Sequence, residues 1–156
     1  MPKFPRTARG FTLIELLVVI GILAVLLTIT LIAINPARQF AQSNNTKRRS
    51  DILTILNAVG QYSADNKGRL PTGITNTFTE VASTGVDICS FIMPTYVSAI
   101  PTDPQFGSNN TGSPVTDCAA AGGYNTGYEI AVATGSSRVM VQAPHAELGD
   151  VIEVTR

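Results

Sequence analysis

Apolar residues form one long block near the start of the chain and are interleaved with polar residues everywhere else. The block covers residues 11–34 and is interrupted only by Thr12, Glu15, Gly21, Thr28 and Thr30. A helix of this length measures roughly 36 Å at about 1.5 Å per residue, enough to cross the apolar core of a bilayer with some tilt. The pattern therefore predicts a membrane-spanning helix over residues 11–34.

A second helical pattern follows the block. Asn35 and Pro36 interrupt the apolar run, and they suit the N-cap and the first position of a helix, so the helix is expected to kink or to stop and restart there. Apolar residues then recur at helical spacing: Ile52, Ile55, Leu56, Val59 and Tyr62. We expect this helix to end near Asn66 or Lys67, with Gly68 as its stop. Its polar first half, residues 42–49, should be solvated or face polar neighbours.

The last third of the chain alternates apolar and polar residues with the period of a β-strand. The apolar positions are Tyr128, Ile130, Val132, Val139, Val141, Ile152 and Val154. Residues 135–137 should close the first two of three strands into a hairpin, whereas residues 72–126 are rich in Thr, Ser, Gly, Asn and Pro. An apolar patch at residues 88–100 fits either a short helix or a strand. The expected fold is α+β, a long N-terminal helix whose amphipathic half packs on a small antiparallel sheet.

Charge is distributed unevenly along the chain. There are 11 basic and 11 acidic residues, and Lys3, Arg6 and Arg9 precede the apolar block without any acid. This asymmetry places the N-terminus inside the cell and the body outside. The remaining, mildly acidic body is not typical of a general nucleic-acid binder. Its one basic cluster, residues 47–49, is expected to be a solvated helix face with Lys47 paired to Asp51; a subunit contact or a weak DNA contact is the alternative.

A cleaved secretory signal is the main rival to a permanent membrane helix. Such signals have an apolar core of about 7 to 15 residues followed by a small-residue cleavage site. The core here is longer, and residues 35–38 make a poor cleavage context. The conspicuous junction is instead Gly10–Phe11, directly before the apolar block.

The residues around this junction resemble the leader and N-terminus of type IV prepilins, a signature shared with type II secretion pseudopilins and competence pilins. The matching residues are Lys3, Arg6, Arg9, Gly10, Phe11, Thr12, Leu13, Ile14 and Glu15. The resemblance implies cleavage after Gly10 by a membrane-embedded prepilin peptidase, and N-methylation of Phe11. It divides the chain into a leader (1–10), a transmembrane and filament-core helix (11–34) and an extracytoplasmic pilin head (35–156) that includes the second half of the helix.

Glu15 is an ionisable residue in a segment otherwise suited to lipid. A carboxylate near the bilayer centre costs about 2.5–3.5 kcal/mol on insertion scales and less near the interface, and a lone anchor gains nothing from it. The resemblance implies a compensating partner, the cationic amine of Phe11 on a neighbouring subunit, which would set the axial register of packed helices. Alternatively, Glu15 favours the N-terminus of its own helix through the macrodipole. Both roles can hold together.

The resemblance implies a structural subunit of a type IV pilus, a homo-oligomeric helical filament. Its expected partners are membrane lipid, the prepilin peptidase, a platform protein and, indirectly, an assembly ATPase. The subunit would cross the inner (cytoplasmic) membrane once and then enter a surface pilus. A type II secretion pseudopilin in a short periplasmic pseudopilus is the alternative, and a membrane-anchored binding protein or enzyme that never polymerises is a third. Adhesion, motility and DNA uptake all stay open.

Cys89 and Cys118 are the two cysteines of the chain. One pair in a loop-rich region predicts a single disulfide if the domain lies outside the cytoplasm, and two unrelated buried thiols are the alternative. A disulfide-closed C-terminal loop is frequent in type IV pilins and less usual in major pseudopilins, which favours the pilus.

No set of residues indicates catalysis. The sequence offers no nucleophile–base pair, so we expect neither an enzyme nor a cofactor. His145 lies in a predicted turn and is expected to be exposed. Four acids resemble those that hold Ca²⁺ in major pseudopilins: Asp103, Asp117, Glu147 and Asp150. They lack the order of an EF-hand loop, so we expect separate solvated turn residues and no metal.

Overall fold

A computed structural model describes residues 10–107 and 112–156. The basic residues of the leader, Lys3, Arg6 and Arg9, therefore lie outside the described residues. Within the described ranges the elements are α1 (Leu13–Ile34), α2 (Pro36–Asp65), β1 (Thr79–Ala82), α3 (Cys89–Ile92), β2 (Asn125–Val132), β3 (Val139–Gln142) and β4 (Glu153–Thr155). The chain divides into two compact units, which meet between Gln39 and Phe40. We call the second unit the head.

The break between α1 and α2 falls at Asn35. This residue is the C-cap of α1 and has a left-handed backbone, with φ of 47°, a conformation that asparagine tolerates better than most residues. Its side-chain oxygen and its carbonyl oxygen both accept the backbone N–H of Arg38, at 3.4 and 3.1 Å. Pro36 is the first residue of α2, where its missing N–H leaves no hydrogen bond unmade. The helix therefore stops and restarts at the predicted position.

The second half of α2 carries the predicted apolar stripe. Ile52, Ile55, Leu56 and Val59 are buried, as the sequence predicts, and Tyr62 is partly buried against the same core. The helix ends at Asp65, one residue earlier than expected. Gly68, with φ of 81°, then donates its N–H to the carbonyl of Ser63 at 2.8 Å and closes the last turn.

The sheet has four antiparallel strands within the described residues, in the order β1-β2-β3-β4. The β2–β3 hairpin and the β4 strand were predicted, with Ile130 opposite Val141 and Val141 opposite Val154. The expectation of three strands was wrong, because β1 (Thr79–Ala82) also pairs with β2. A register irregularity between Glu80 and Ala82 disrupts the alternation in β1, and Val81 and Ala82 are both buried.

One core joins α2, α3 and the sheet in the head. Its buried side chains include Ile52, Ile55, Val59, Ile88, Ile92, Ile100, Tyr128, Ile130, Val141 and Ile152. The apolar patch at residues 88–100 therefore supplies a short helix rather than a strand. The α+β architecture predicted from the sequence, with the amphipathic part of the helical region packed on a small antiparallel sheet, is confirmed.

A disulfide joins Cys89, the first residue of α3, to Cys118, with 5.6 Å between their Cα atoms. Cys89 is buried in the core and Cys118 packs against it. The bond ties the long segment before β2 to the core of the head.

Reduction of this disulfide should lower the free energy of unfolding of the head. The bond spans a sequence separation of 29 residues, for which loop entropy predicts a loss of about 3–4 kcal/mol. The measurement is denaturant unfolding of the full chain with and without reducing agent. A double Cys89→Ser/Cys118→Ser variant serves as the control, because reducing agent must leave it unchanged. An unaltered midpoint for the reduced wild type would contradict the prediction.

Candidate functional site

The predicted cleavage junction lies just before α1. Gly10, Phe11 and Thr12 precede the helix and belong to no regular element. Phe11 is 90% exposed, and a β-carbon built on Gly10 would meet no atom within 4 Å. No other described part of the chain covers the peptide bond between Gly10 and Phe11.

Glu15 and Thr12 form a capping box at the start of α1. Oε2 of Glu15 accepts the backbone N–H of Thr12 at 2.8 Å and its hydroxyl at 2.7 Å. The Thr12 hydroxyl oxygen in turn accepts the N–H of Glu15 at 3.3 Å. Glu15 thus stabilises the beginning of its own helix, as the alternative role required. Both donors reach the same oxygen, and among the described residues Oε1 accepts no hydrogen bond.

The remainder of α1 presents an almost wholly apolar surface. None of its side chains is buried, and the helix is long and apolar enough to cross a membrane. The hydroxyls of Thr28 and Thr30 donate to carbonyls of their own helix, at 2.8 Å each, so they need no outside partner. An exposed apolar surface of this extent marks a membrane or assembly contact. The carboxylate of Glu15 is the one ionisable group on it.

A second polar constellation lies in the head, around Arg48 of α2. This side chain is fully buried, and all five of its N–H donors are used. Asp103 accepts from Nε at 2.7 Å and from Nη2 at 3.2 Å. Asn45 and Glu147 accept from Nη1 at 3.0 and 2.8 Å, and Gln105 accepts from Nη2 at 3.1 Å. A buried cation with this many acceptors stabilises the structure only while its partners remain in place.

The polar half of α2 also holds the turn at residues 147–150. Asn45 donates to the carbonyl of Glu147 at 2.8 Å and to the carboxylate of Asp150 at 3.1 Å, and it accepts the N–H of Glu147 at 2.9 Å. Asn44 donates to the Glu147 carboxylate at 2.9 Å, and Arg49 pairs with Asp150 at 2.7 Å. Residues 42–49 therefore face polar neighbours, the second of the two environments expected for them.

These contacts correct two expectations. The basic cluster at residues 47–49 is not uniformly solvated, because Arg48 is buried; the pairing of Lys47 with Asp51 is confirmed at 2.7 Å. Nor are the acids separate solvated residues, because Asp103 is fully buried and Glu147 and Asp150 meet at α2. Their counter-ions are arginines: Arg48 for Asp103 and Glu147, and Arg49 for Asp150.

Two further residues complete the description of the predicted site. Asp117 lies apart from the other acids and accepts the backbone N–H of Ala119 at 2.8 Å. His145 is partly buried rather than simply exposed, because its ring stacks on Phe106 with 3.8 Å between the centroids. The turn in which it lies was predicted.

The electrostatics of the Arg48 constellation favour its charged forms. Burial acts to lower the pKa of Arg48, but its hydrogen bonds to Asp103 and Glu147 outweigh burial and raise it. The hydrogen bond from Asn44 lowers the pKa of Glu147, and Arg48 lowers it further. Glu147 therefore binds its proton less readily in the folded head than in the unfolded chain.

The pKa of Glu147 predicts a pH dependence of stability. A lowered folded-state pKa contributes stability that is present above the ordinary value, about 4.3, and is lost as the pH falls through the folded-state pKa. The free energy of unfolding of wild type should exceed that of Glu147→Gln by a constant amount above about pH 5, and by less as the pH falls below about 4. Unfolding titrations of both proteins across this range check it. A difference that grows on acidification would contradict it.

Comparison with known families gives one match at the N-terminus. Residues 5–31 match the family described as the prokaryotic N-terminal methylation motif. The match covers the Gly10–Phe11 junction, the capping box and most of α1. No curated protein and no solved structure matches the chain.

Proposed function

Because residues 5–31 carry the class III leader of type IV pilins and pseudopilins, we propose that this protein is the structural subunit of a type IV pilus. It is made as a prepilin, cut after Gly10 by a prepilin peptidase and N-methylated at Phe11. It then polymerises through α1 into a helical surface filament. The observation that carries the proposal is the single carboxylate of Glu15, four residues after the cleavage junction on an otherwise apolar, exposed helix.

The proposed topology has the leader in the cytoplasm, α1 across the inner membrane and the head outside. The basic residues before α1 support this orientation. The disulfide supports it independently, because such bonds persist in oxidising compartments and are rare in the cytoplasm.

Assembly moves α1 from lipid into a bundle of like helices. This transfer gains little hydrophobic free energy, because lipid tails are as apolar as the helix itself. Specificity must then come from helix packing and from polar pairs. The proposed pair joins the Glu15 carboxylate, whose Oε1 is available, to the cationic N-terminus of Phe11 on a neighbouring subunit. The mechanical work falls to an assembly ATPase that acts through a platform protein.

The leader is shared with pseudopilins, so a short periplasmic pseudopilus is the alternative assembly. The disulfide of the head supports the pilus, because the family resemblance makes such a loop closure more usual there. In either filament the proposed role is structural rather than catalytic.

Intact-mass measurement of the subunit purified from membranes tests the processing step. Wild type should begin at Phe11 and carry an N-methyl group. The matched control is Gly10→Leu: a side chain at residue 10 meets nothing in the structure, so a failure of cleavage reports the peptidase rather than misfolding. This variant should retain residues 1–10. A wild-type mass that includes the leader would contradict the proposal.

A further inference from the structure

Five large apolar side chains remain exposed in the described part of the head: Phe40, Leu53, Phe106, Leu148 and Val151. All but Leu53 lie on or close to segments that contact residues 40–49 of α2. We propose that these four residues, the exposed apolar set, contact the interface of the lipid bilayer, and that the head of an anchored, unassembled subunit rests on the membrane through them. This inference depends on the membrane anchoring in the proposed function, but not on filament formation.

The exposed apolar set is held by polar contacts to α2. Leu148 belongs to the turn that Asn44, Asn45 and Arg49 bind, and Val151 follows that turn directly. The backbone N–H of Phe106 donates to Asp103 at 3.0 Å, and Asp103 is bound in turn by Arg48. These segments are therefore fixed to the same stretch of α2 from which Phe40 projects.

Leu148 is exposed at some conformational cost. Its φ of 61° is left-handed, and Gly149 follows with φ of 73°. Asp150 donates its N–H to the carbonyl of Glu147 at 3.2 Å, which closes a tight turn with Leu148 at its tip. A branched side chain is strained in this conformation, and such strain persists only where the surroundings impose it. The head thus holds an aliphatic side chain 53% exposed in an unfavourable backbone conformation.

The lipid interface is the partner that fits the position of the exposed apolar set along the chain. Phe40 follows Ile34, the last residue of α1, by only six positions. Chain connection alone therefore keeps the first turns of α2 near the end of the membrane span, whatever the orientation of the head. Leu53 lies about 20 Å farther along α2 than Phe40. Apolar and aromatic side chains are stabilised at headgroup level, where one side is apolar and the other wet.

Charges on the same stretch are compatible with an anionic membrane. Arg38, Lys47 and Arg49 lie on α2 beside the exposed apolar set, and the side chains of Lys47 and Arg49 are 41% and 52% exposed. Basic residues near a bilayer surface are attracted to anionic headgroups. The acids that face them are Asp51 and Asp150, each already paired with one of these cations.

Single tryptophan reporters test the contact, because the chain has no tryptophan of its own. The full chain is reconstituted at high lipid excess in vesicles of phosphatidylethanolamine and phosphatidylglycerol, with bromine on the acyl chains near the glycerol. The reporters are Leu148→Trp and Val151→Trp, and the second avoids the left-handed position. Leu53→Trp is the matched control in the head, and Leu23→Trp in α1 reports insertion.

We expect brominated lipid to quench Leu148→Trp, Val151→Trp and Leu23→Trp, and to leave Leu53→Trp unquenched. If only Leu23→Trp is quenched, the inference is wrong and the pilus proposal stands. If Leu23→Trp is also unquenched, the chain is not anchored and both fail. An emission shift at Leu148→Trp that follows the protein-to-lipid ratio without bromine quenching would mean that a second copy covers the set, which also overturns the inference. Absence of filaments in cells, with quenching intact, would refute the pilus proposal alone.

Discussion

Glu15→Ala is expected to abolish filament assembly while leaving membrane insertion and leader cleavage intact. The substitution removes the one carboxylate that α1 can offer to the amine of a neighbouring subunit. Insertion should not suffer, because removal of a charge that costs up to about 2.5–3.5 kcal/mol in a bilayer makes the helix more apolar. The capping box loses one of its two halves, but the Thr12 hydroxyl can still cap the helix. Sheared surface filaments and the membrane fraction are assayed together, with the variant as the only source of the subunit.

Thr30→Ala is the control for this experiment. It also removes a polar group from α1, but the Thr30 hydroxyl bonds only to the carbonyl of Leu27 in its own helix. This variant should form filaments at the wild-type yield. Wild-type yields from Glu15→Ala would remove the basis for the register pair. Loss of the Glu15→Ala protein from the membrane would show that Glu15 serves insertion instead.

Arg48→Met should destabilise the head by about 3–5 kcal/mol, the range observed when one member of a buried ion pair is removed. Asp103 would be left fully buried without its cation, and Asn45, Gln105 and Glu147 would each lose a donor. Methionine fills much of the volume, so lost charge pairing rather than a cavity accounts for the effect. Denaturant unfolding of the detergent-solubilised chain, followed by near-ultraviolet circular dichroism of its tyrosines, measures the loss.

Arg49→Met is the matched control, because Arg49 adjoins Arg48 in sequence and forms its ion pair with Asp150 on the surface. Exposed pairs of this kind contribute about 0–1 kcal/mol. The double variant Arg48→Met/Asp103→Leu should recover part of the loss, since it removes the unpaired buried charge as well. Equal unfolding midpoints for Arg48→Met and Arg49→Met would contradict the account of the constellation.

The helices and the C-terminal hairpin could be predicted because their signals are local. The apolar spacing from Ile52 to Val59 identifies one buried helix face, and the strand-like alternation on either side of residues 135–137 identifies the hairpin. The stop and restart at Asn35 and Pro36 follows from the backbone preferences of two adjacent residues. None of these features depends on a distant partner.

The burial of Arg48 could not be read from polarity alone. Ala41, Asn45 and Arg48 continue the spacing of Ile52 and Ile55, so the buried stripe extends into the polar half of α2. Their residue types pointed to solvent because their partners are remote: Asp103 and Glu147 lie 55 and 99 residues away from Arg48. The spacing was the available signal, and it should have outweighed composition.

The strand β1 was missed for a different reason. It has four residues in a region rich in Thr, Ser and Gly, and its register irregularity places two consecutive side chains, Val81 and Ala82, in the core. A strand without alternation has no sequence signature of its own, because its pairing with β2 defines it. At the N-terminus the motif identifies Gly10, Phe11 and Glu15, but the partner proposed for Glu15 belongs to another copy of the chain.

Immunogold electron microscopy of cells at native expression, with antibody to the head, tests the central claim most directly. The account predicts label on surface filaments, and the same subunit should be recovered when those filaments are sheared from the cells. Label along the whole shaft would identify the major subunit, and label at the tip a minor one. Label confined to the cell envelope, with no surface filaments, would contradict the pilus assignment and favour a periplasmic pseudopilus.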